Sequence, residues 1–455
     1  MTYLSSQEIA ERQPDPRPQD YRESIRQARQ KITEAGYWQA NQQMGRRWAA
    51  GCVALEITQR CNLDCSFCYL SEHSEAMKDL PLSEIYRRID EILHYYGPNT
   101  DVQVTGGDPT LRQESELLAI VSRIRDKGLR PTLMTNGIKA RRPLLEKLAQ
   151  AGLCDIAFHV DTTQDRLQPG RERTYSSEVA LNSVRQEYIE RCRGLPFSVF
   201  FNTTVHEGNV HEVPALVRFF VDNADRVRTV SFQLGADTGR GTERDRGLAV
   251  DQASVWRQIE DTAGTRINPR GFMAGHSDCN RYGMTVVAGG QAVDVFDSTE
   301  LAGQLMAAGE GFVAHRDNRW LTTKEVARWV LKHPGLTLRL AGKALDRLWR
   351  IKAGLWQNRG RASTLSFLIH DFMDADCLDC QRIDSCAFKT MTADGPVSMC
   401  LMNARRDSFL ARDQQLFTEV QPLKLVDPDS YPLKHTKGRT RARKLTQKQE
   451  ASYTG

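Results

Sequence analysis

The chain has no long charge-free apolar run, which excludes a membrane-spanning helix on hydropathy. Its opening MTYLSSQEIAERQPDPRPQD has no apolar core segment, so no secretory signal is visible. No internal repeat appears beyond a strand–helix alternation. What is present in quantity is cysteine. Eleven is an odd number in a chain of 455 residues, which argues against a secreted disulfide scaffold and for metal binding in a reducing cytoplasm. With 26% charged and 40% hydrophobic residues, the composition is that of a soluble globular protein of about three domains.

The net charge of +5 conceals an asymmetry. Residues 434–455 carry +6 and residues 316–361 carry +9, leaving −10 for the remainder. The tail has no hydrophobic period and reads as disordered and solvating, with weak contact to nucleic acid or anionic lipid as the alternative. Residues 1–18, broken by Pro14, Pro16 and Pro18, also read as disordered. Tyr21 to Trp48 reads as helix, with Gly36 as a point of division.

From residue 52 the pattern changes. β-rich runs at 52–58, 101–105, 131–135, 155–160, 197–205 and 227–234 alternate with helical stretches at 82–96, 113–127, 142–151, 177–192 and 213–223. This order predicts an α/β fold, a buried parallel sheet with crossover helices. Six units fall short of the eight in a full (β/α) barrel, so a partial barrel or open sheet is expected. Its active-site residues belong at the C-terminal strand ends. Past residue 270 the alternation stops. A hairpin over Met284 to Val295 turning on Gly289-Gly290, helices near 324–332 and 338–355, and a cysteine-rich block from Cys377 to Cys400 follow.

Cys61, Cys65 and Cys68 form C-x-x-x-C-x-x-C directly after the first strand. Three thiolates on one loop can converge on a metal. Structural zinc usually takes four ligands, and a [4Fe–4S] cluster is normally held by four cysteines. Three would leave one iron open to a substrate or cofactor. A zinc knuckle or unrelated buried thiols is the bland alternative.

The loop CNLDCSFC at 61–68, with Phe67 before its last cysteine, resembles that of the radical S-adenosylmethionine (radical SAM) enzymes, and the resemblance covers roughly residues 50–240. It implies a six-unit partial (β/α) barrel, in agreement with the strand count. It also implies a [4Fe–4S] cluster on the three cysteines whose open iron chelates S-adenosylmethionine. One electron then cleaves that molecule to methionine and a 5′-deoxyadenosyl radical, which abstracts hydrogen from the substrate. Gly106-Gly107-Asp108-Pro109 after the second strand is similar to the family's glycine-rich motif, with Asp108 where Glu is usual. The resemblance places these residues, and Phe67, around the cosubstrate. Asn136 beside Gly137, His159, Asp161, Asn202 and Gln233 stand near the ends of strands three to six. They are candidates for ribose, adenine or substrate contacts, and for each a turn or capping role is the alternative.

Cys377, Cys380, Cys386 and Cys400 suffice for a second, fully ligated cluster, and Cys279 is a candidate to replace one of them. The C-x2-C-x5-C piece resembles part of the auxiliary-cluster domains of many radical SAM enzymes, whose fuller pattern has seven cysteines. One auxiliary cluster is therefore expected rather than two; tetrahedral zinc is the alternative. Cys52, Cys154 and Cys192 read as packing residues. HDFMDAD at 370–376, DGPVSMCLMNA at 394–404, His276 with Cys279, and HVDTTQ at 159–164 look similar to the branch containing tetraether-lipid-forming enzymes and relatives proposed as pterin methyltransferases.

Residues 316–361 hold four of the seven tryptophans. Leu338, Leu345, Leu348, Trp349 and Trp356 fall near one helical face, Lys343, Arg347 and Arg350 opposite, and Lys352 on the apolar side. Two readings follow. The Leu/Trp face packs on the barrel and the basic face is solvated, or the segment meets anionic lipid or a long apolar substrate.

The expected organisation is an N-terminal segment (1–48), a radical SAM core (49–270), an α+β auxiliary-cluster region (271–425) and a basic tail (426–455). The expected activity is radical chemistry on a lipid or other long apolar chain, with a peptide or protein as the second substrate class. An electron donor such as ferredoxin or flavodoxin is implied. A cytoplasmic location with peripheral contact at the inner membrane surface fits. A non-enzymatic iron–sulfur or zinc scaffold binding nucleic acid rests only on the basic segments and is disfavoured.

Overall fold

The structure, a computed structural model, describes residues 3–164, 166–168, 174–241, 250–310, 312 and 319–418. The basic tail lies outside the described residues. In chain order the elements are α1 (Ser6–Glu11), α2 (Tyr21–Glu34), β1 (Cys52–Thr58), α3 (Leu82–Tyr96), β2 (Asp101–Gly106), α4 (Glu114–Asp126), β3 (Arg130–Thr135), α5 (Arg142–Gln150) and β4 (Asp155–His159). Then come α6 (Asn182–Arg191), β5 (Ser198–Val205), α7 (Val213–Asp222), β6 (Val227–Leu234), α8 (Gln252–Ala263), β7 (Asn280–Ala288), β8 (Gln291–Asp294) and α9 (Thr299–Ala308). The chain ends with α10 (Arg319–Lys332), α11 (Pro334–Arg350), α12 (Lys352–Gln357), β9 (Ser363–Asp371), α13 (Cys380–Asp384), β10 (Phe388–Thr392), β11 (Gly395–Ser398), α14 (Met399–Ala404) and α15 (Arg406–Phe417).

All strands join one curled sheet in the order β11-β10-β1-β2-β3-β4-β5-β6-β9-β7-β8. The six expected strands are its centre and pair in parallel. Their β-branched and aliphatic side chains are buried against the crossover helices: Val53, Leu55 and Ile57 of β1, for example, share a core with Ile85, Ile89 and Ile92 of α3. The sheet does not stop at β6. β9 adds in parallel beside β6 and β10 in parallel beside β1, so eight parallel strands result. The two edges of this half-barrel meet through aromatic side chains. His370 and Phe372 lie at 6.2 and 6.0 Å from the Phe388 ring. The expected hairpin is β7–β8, and Gly289 and Gly290 both take positive φ in its turn.

The expectation of disorder over residues 1–18 is corrected for residues 3–18, those of the segment that the structure describes. A Ser5/Glu8 capping box starts α1, Leu4 N–H donates to the Leu378 carbonyl, and Asp15 pairs with Lys389 of β10 at 2.6 Å. Prolines here break helix without preventing a docked extended segment. The predicted long helix ends at Glu34, before Gly36 at φ 79°. No helix among the described residues is long and apolar enough to cross a membrane.

Candidate functional site

β1 ends at Thr58 and releases the chain into the cysteine loop. Cys61, Cys65 and Cys68 all line one cavity of about 610 Å³ inside the half-barrel, together with Phe67, Gly106, Gly107, Asp108, Asn136, Asn202 and Gln233. The sequence candidates therefore meet in one place, with one departure. Asp161 stands behind the cavity wall, fully buried, where it bonds His159 Nε2 at 2.7 Å and accepts from Thr163 and from the Thr204 N–H. Those donors hold its carboxyl far below the usual range despite burial. It orders the 161–164 turn, whose Thr163 carbonyl accepts from Ser66 N–H of the cysteine loop at 2.8 Å.

The glycine pair is required by that loop. A Cβ on Gly106 would stand 2.0 Å from the Thr58 carbonyl oxygen, and one on Gly107 2.0 Å from that of Arg60. This close approach lets Gly107 N–H donate to Thr58 O and Asp108 N–H to Arg60 O, both at 2.8 Å. The Asp108 carboxylate is buried and accepts from Thr110 N–H at 3.0 Å, Thr135 Oγ1 at 2.9 Å and Asn136 N–H at 2.9 Å. Much of its accepting capacity is thus used within the chain. Asn136 Nδ2 donates to Asn62 Oδ1 at 2.7 Å and lies 4.0 Å from Cys61 Sγ.

Two arginines that the sequence did not single out support the loop. Arg240, just after β6, is buried and donates to Leu63 O and Ser74 Oγ at 3.1 and 3.0 Å. Burial opposes its charge, but Cys68 and Asp64 outweigh burial and raise its pKa. Arg406 of α15 pairs with Glu56 at 2.8 Å and lies over the Tyr69 ring, while Tyr69 Oη donates to the Gly106 carbonyl at 2.6 Å. Both reach the loop from far along the chain, so no local pattern marks them.

Along β5, β6 and β9 the cavity wall carries Asn202, Ser231, Gln233 and His370, with Asn202 opposite Ser231 and Gln233 opposite His370. None has a side-chain hydrogen bond among the described residues, and Ser231 Oγ is buried without a partner. Unpartnered polar groups on a buried wall suit a ligand that supplies the partners.

Burial, then Asp108 and Cys68, push the Cys61 thiol up to about 12, and burial with its two neighbours raises Cys65 well above its ordinary value. Among the described residues no three Cys, His, Asp or Glu side chains close on one point as metal ligands. The donor set nevertheless fits a sulfur-liganded cluster. Three thiols of one loop share a cavity with a nearby guanidinium, where a metal would replace the protons that burial retains.

The second cysteine group divides. Cys279, Cys386 and Cys400 lie close enough to influence one another's thiols, and Arg382 Nε donates to Cys279 Sγ at 3.4 Å. Cys380 instead faces Asp384 at 3.5 Å and Arg12 at 3.6 Å, and Cys377 is exposed. The C-x2-C pair does not join the other thiols in this structure.

A parallel half-barrel whose strand ends surround a three-thiol loop defines a class, barrel proteins arranged to carry a sulfur-ligated metal group beside a small-molecule cavity. Residues 55–220 match the model of the radical SAM superfamily. It is 33% identical over 197 residues to 7,8-dihydro-6-hydroxymethylpterin dimethyltransferase of Methanocaldococcus jannaschii, covering 42% of this chain and 37% of that one. It is 26% identical over 226 residues to Fe-coproporphyrin III synthase of Methanosarcina barkeri, covering 49% and 53%. It is 28% identical over 183 residues to PqqA peptide cyclase of Bradyrhizobium diazoefficiens, covering 40% and 46%. The alignments thus span between 37% and 53% of the length of these curated relatives.

Proposed function

We propose that this chain is an enzyme that reductively cleaves S-adenosylmethionine at a [4Fe–4S] cluster and abstracts hydrogen from a substrate in the barrel cavity. The carrying observation is that the three thiols of one loop open on the same cavity as Gly106, Gly107 and the polar row Asn202, Ser231, Gln233 and His370, whose side chains have no hydrogen-bond partner among the described residues. When bound, the cluster supplies the one electron that breaks a carbon–sulfur bond of the cosubstrate. Cys61, Cys65 and Cys68 hold it, Arg240 fixes the loop, and Gly106 and Gly107 let the backbone approach the ligand. Phe67, Asn136, Asn202 and Gln233 orient the bound molecules, and the enclosing wall limits water. An outside donor such as ferredoxin or flavodoxin provides the electron. A second metal group on Cys279, Cys386 and Cys400, with a further ligand, belongs to the same proposal.

The substrate we propose is a lipid or other long apolar chain. It is supported by an apolar groove of about 360 Å³ lined by Trp48, Leu305, Met306 and Trp329, which shares Phe272 with a cavity reaching Phe67. Similarity to a peptide cyclase favours a peptide as the second reading. The test is anaerobic iron and acid-labile sulfide per chain, with 5′-deoxyadenosine formation under dithionite. For the wild type we expect about eight irons, falling to about four when Cys61, Cys65 and Cys68 are all changed to Ala, and cleavage lost. Cleavage retained in that variant would sink the assignment.

A further inference from the structure

Helix α11, between α10 and α12, attaches to the body by its charged side. Arg347 is buried, donates from Nε to the Asp294 carbonyl at 3.0 Å and pairs with Asp297 at 2.8 Å; Lys343 pairs with Asp297 at 2.9 Å. The apolar side faces outward. Leu338 is 76% exposed, Leu345 69%, Trp349 68% and Trp356 88%. Trp320 and Leu331 of α10 are exposed as well. Packing of the Leu/Trp face on the barrel, one of the two sequence readings, is therefore not what the structure adopts. A single exposed apolar side chain is ordinary, but a row at helical spacing marks an interaction surface.

The charge around the row selects its partner. Residues 319–361 hold eleven Lys and Arg against Glu325 and Asp346 alone. A second copy would bring the same positive field to a two-fold contact. Residues 419–455, with eight Lys and Arg against four acids, offer no complement either. Lys352 Nζ lies 3.7 Å from the Trp349 ring centroid and Lys324 Nζ 5.5 Å from that of Trp320. Cation and ring thus stand at one level, as they do where an indole enters a bilayer interface and an ammonium meets phosphate. On their inner side the same helices roof the apolar groove with Val326, Trp329 and Leu340. Arg47 also lines it, with one Nη lacking a hydrogen-bond partner among the described residues.

We propose that α10–α12 form a docking surface for an anionic lipid bilayer, with the Leu/Trp row entering the acyl boundary and the lysines and arginines meeting lipid phosphates. The surface deepens the lipid reading of the substrate and rests on that reading only for the route through the groove. The test is co-sedimentation of the full chain with phosphatidylcholine vesicles, with and without phosphatidylglycerol, at low and high salt. Tryptophan quenching by brominated lipid is read in parallel. We expect binding at least about tenfold tighter to the anionic vesicles, weakened by salt, with quenching. Leu345→Glu with Trp349→Glu, both exposed and so neutral to folding, should abolish quenching and most of the binding. Equal binding by the double variant would assign adhesion to the tail and overturn the proposal. Indifference to vesicles would overturn it too, as would a wild-type dimer that this variant dissociates. Cosubstrate cleavage, assayed without vesicles, reports separately on the proposed chemistry.

Discussion

His370 is the clearest case of a residue whose role appears only in three dimensions. It is the penultimate residue of β9, lines the cavity, and stacks on Phe372 at 5.6 Å and 19°. Burial pushes its pKa down to about 4, so it is a neutral imidazole at pH 7. Its ordinary value is about 6.5, so below that pH the unfolded chain takes up a proton that the folded one refuses. Stability is therefore lost as pH falls from about 6.5 towards 4, and His370 contributes no slope above that window. His370→Phe should flatten this part of the profile, measured as the urea midpoint at successive pH values. An unchanged slope would show that another group carries it. In the sequence His370 stood out only as part of HDFMDAD. The cysteine loop, in contrast, was legible because its three thiols are neighbours in the chain, and the glycine pair because only glycine permits such close backbone approach.

Among the elements, the N-terminal segment shows how local and distant forces compete. Its prolines suggest disorder, yet Asp15 and Lys389 hold it along β10. Burial opposes both charges. Lys389 and Lys31 nevertheless lower the Asp15 pKa, and Asp15 raises that of Lys389. The carboxylate's contribution is thus complete above about pH 3.9 and lost as pH falls through its depressed value. The ammonium's contribution is complete below about pH 10.4 and lost as pH rises through its raised value. Asp15→Asn should cost about 2 kcal/mol at pH 7, seen in chemical denaturation, with the difference from wild type shrinking in acid. The six central strands were legible because each is a short apolar run between helical stretches. β9 and β10 were not, since Ser363–Asp371 and Phe388–Thr392 lie outside the regular strand–helix alternation, on either side of a cysteine pair that drew a metal-site reading. The helical character of α11 was likewise readable, but not its orientation, which the Asp294 carbonyl and the Asp297 carboxylate on the body decide.

On the scale of the whole molecule, the cysteine loop is a junction for chain segments far apart in sequence: the 161–164 turn, Arg240 and α15. Arg406→Ala should destabilise the protein by roughly 3–5 kcal/mol, because it leaves Glu56 buried and uncompensated, and should lower iron retention. Glu56→Gln with Arg406→Met should recover much of the stability in denaturant titrations; failure to recover would place the effect in Tyr69 packing instead. These long-range supports explain why the site's ligands could be read from sequence while its scaffold could not.

The placement of β9 and β10 also has a consequence for synthesis. Both flanks of the six-strand sheet are covered by residues that follow position 362. A chain emerging from the ribosome with only its first 270 residues would hold β1 to β6 with an open hydrogen-bonding edge on either side. Such a nascent sheet invites pairing with the wrong partner until β9 and β10 have emerged, so this protein should depend on chaperones over that interval of translation.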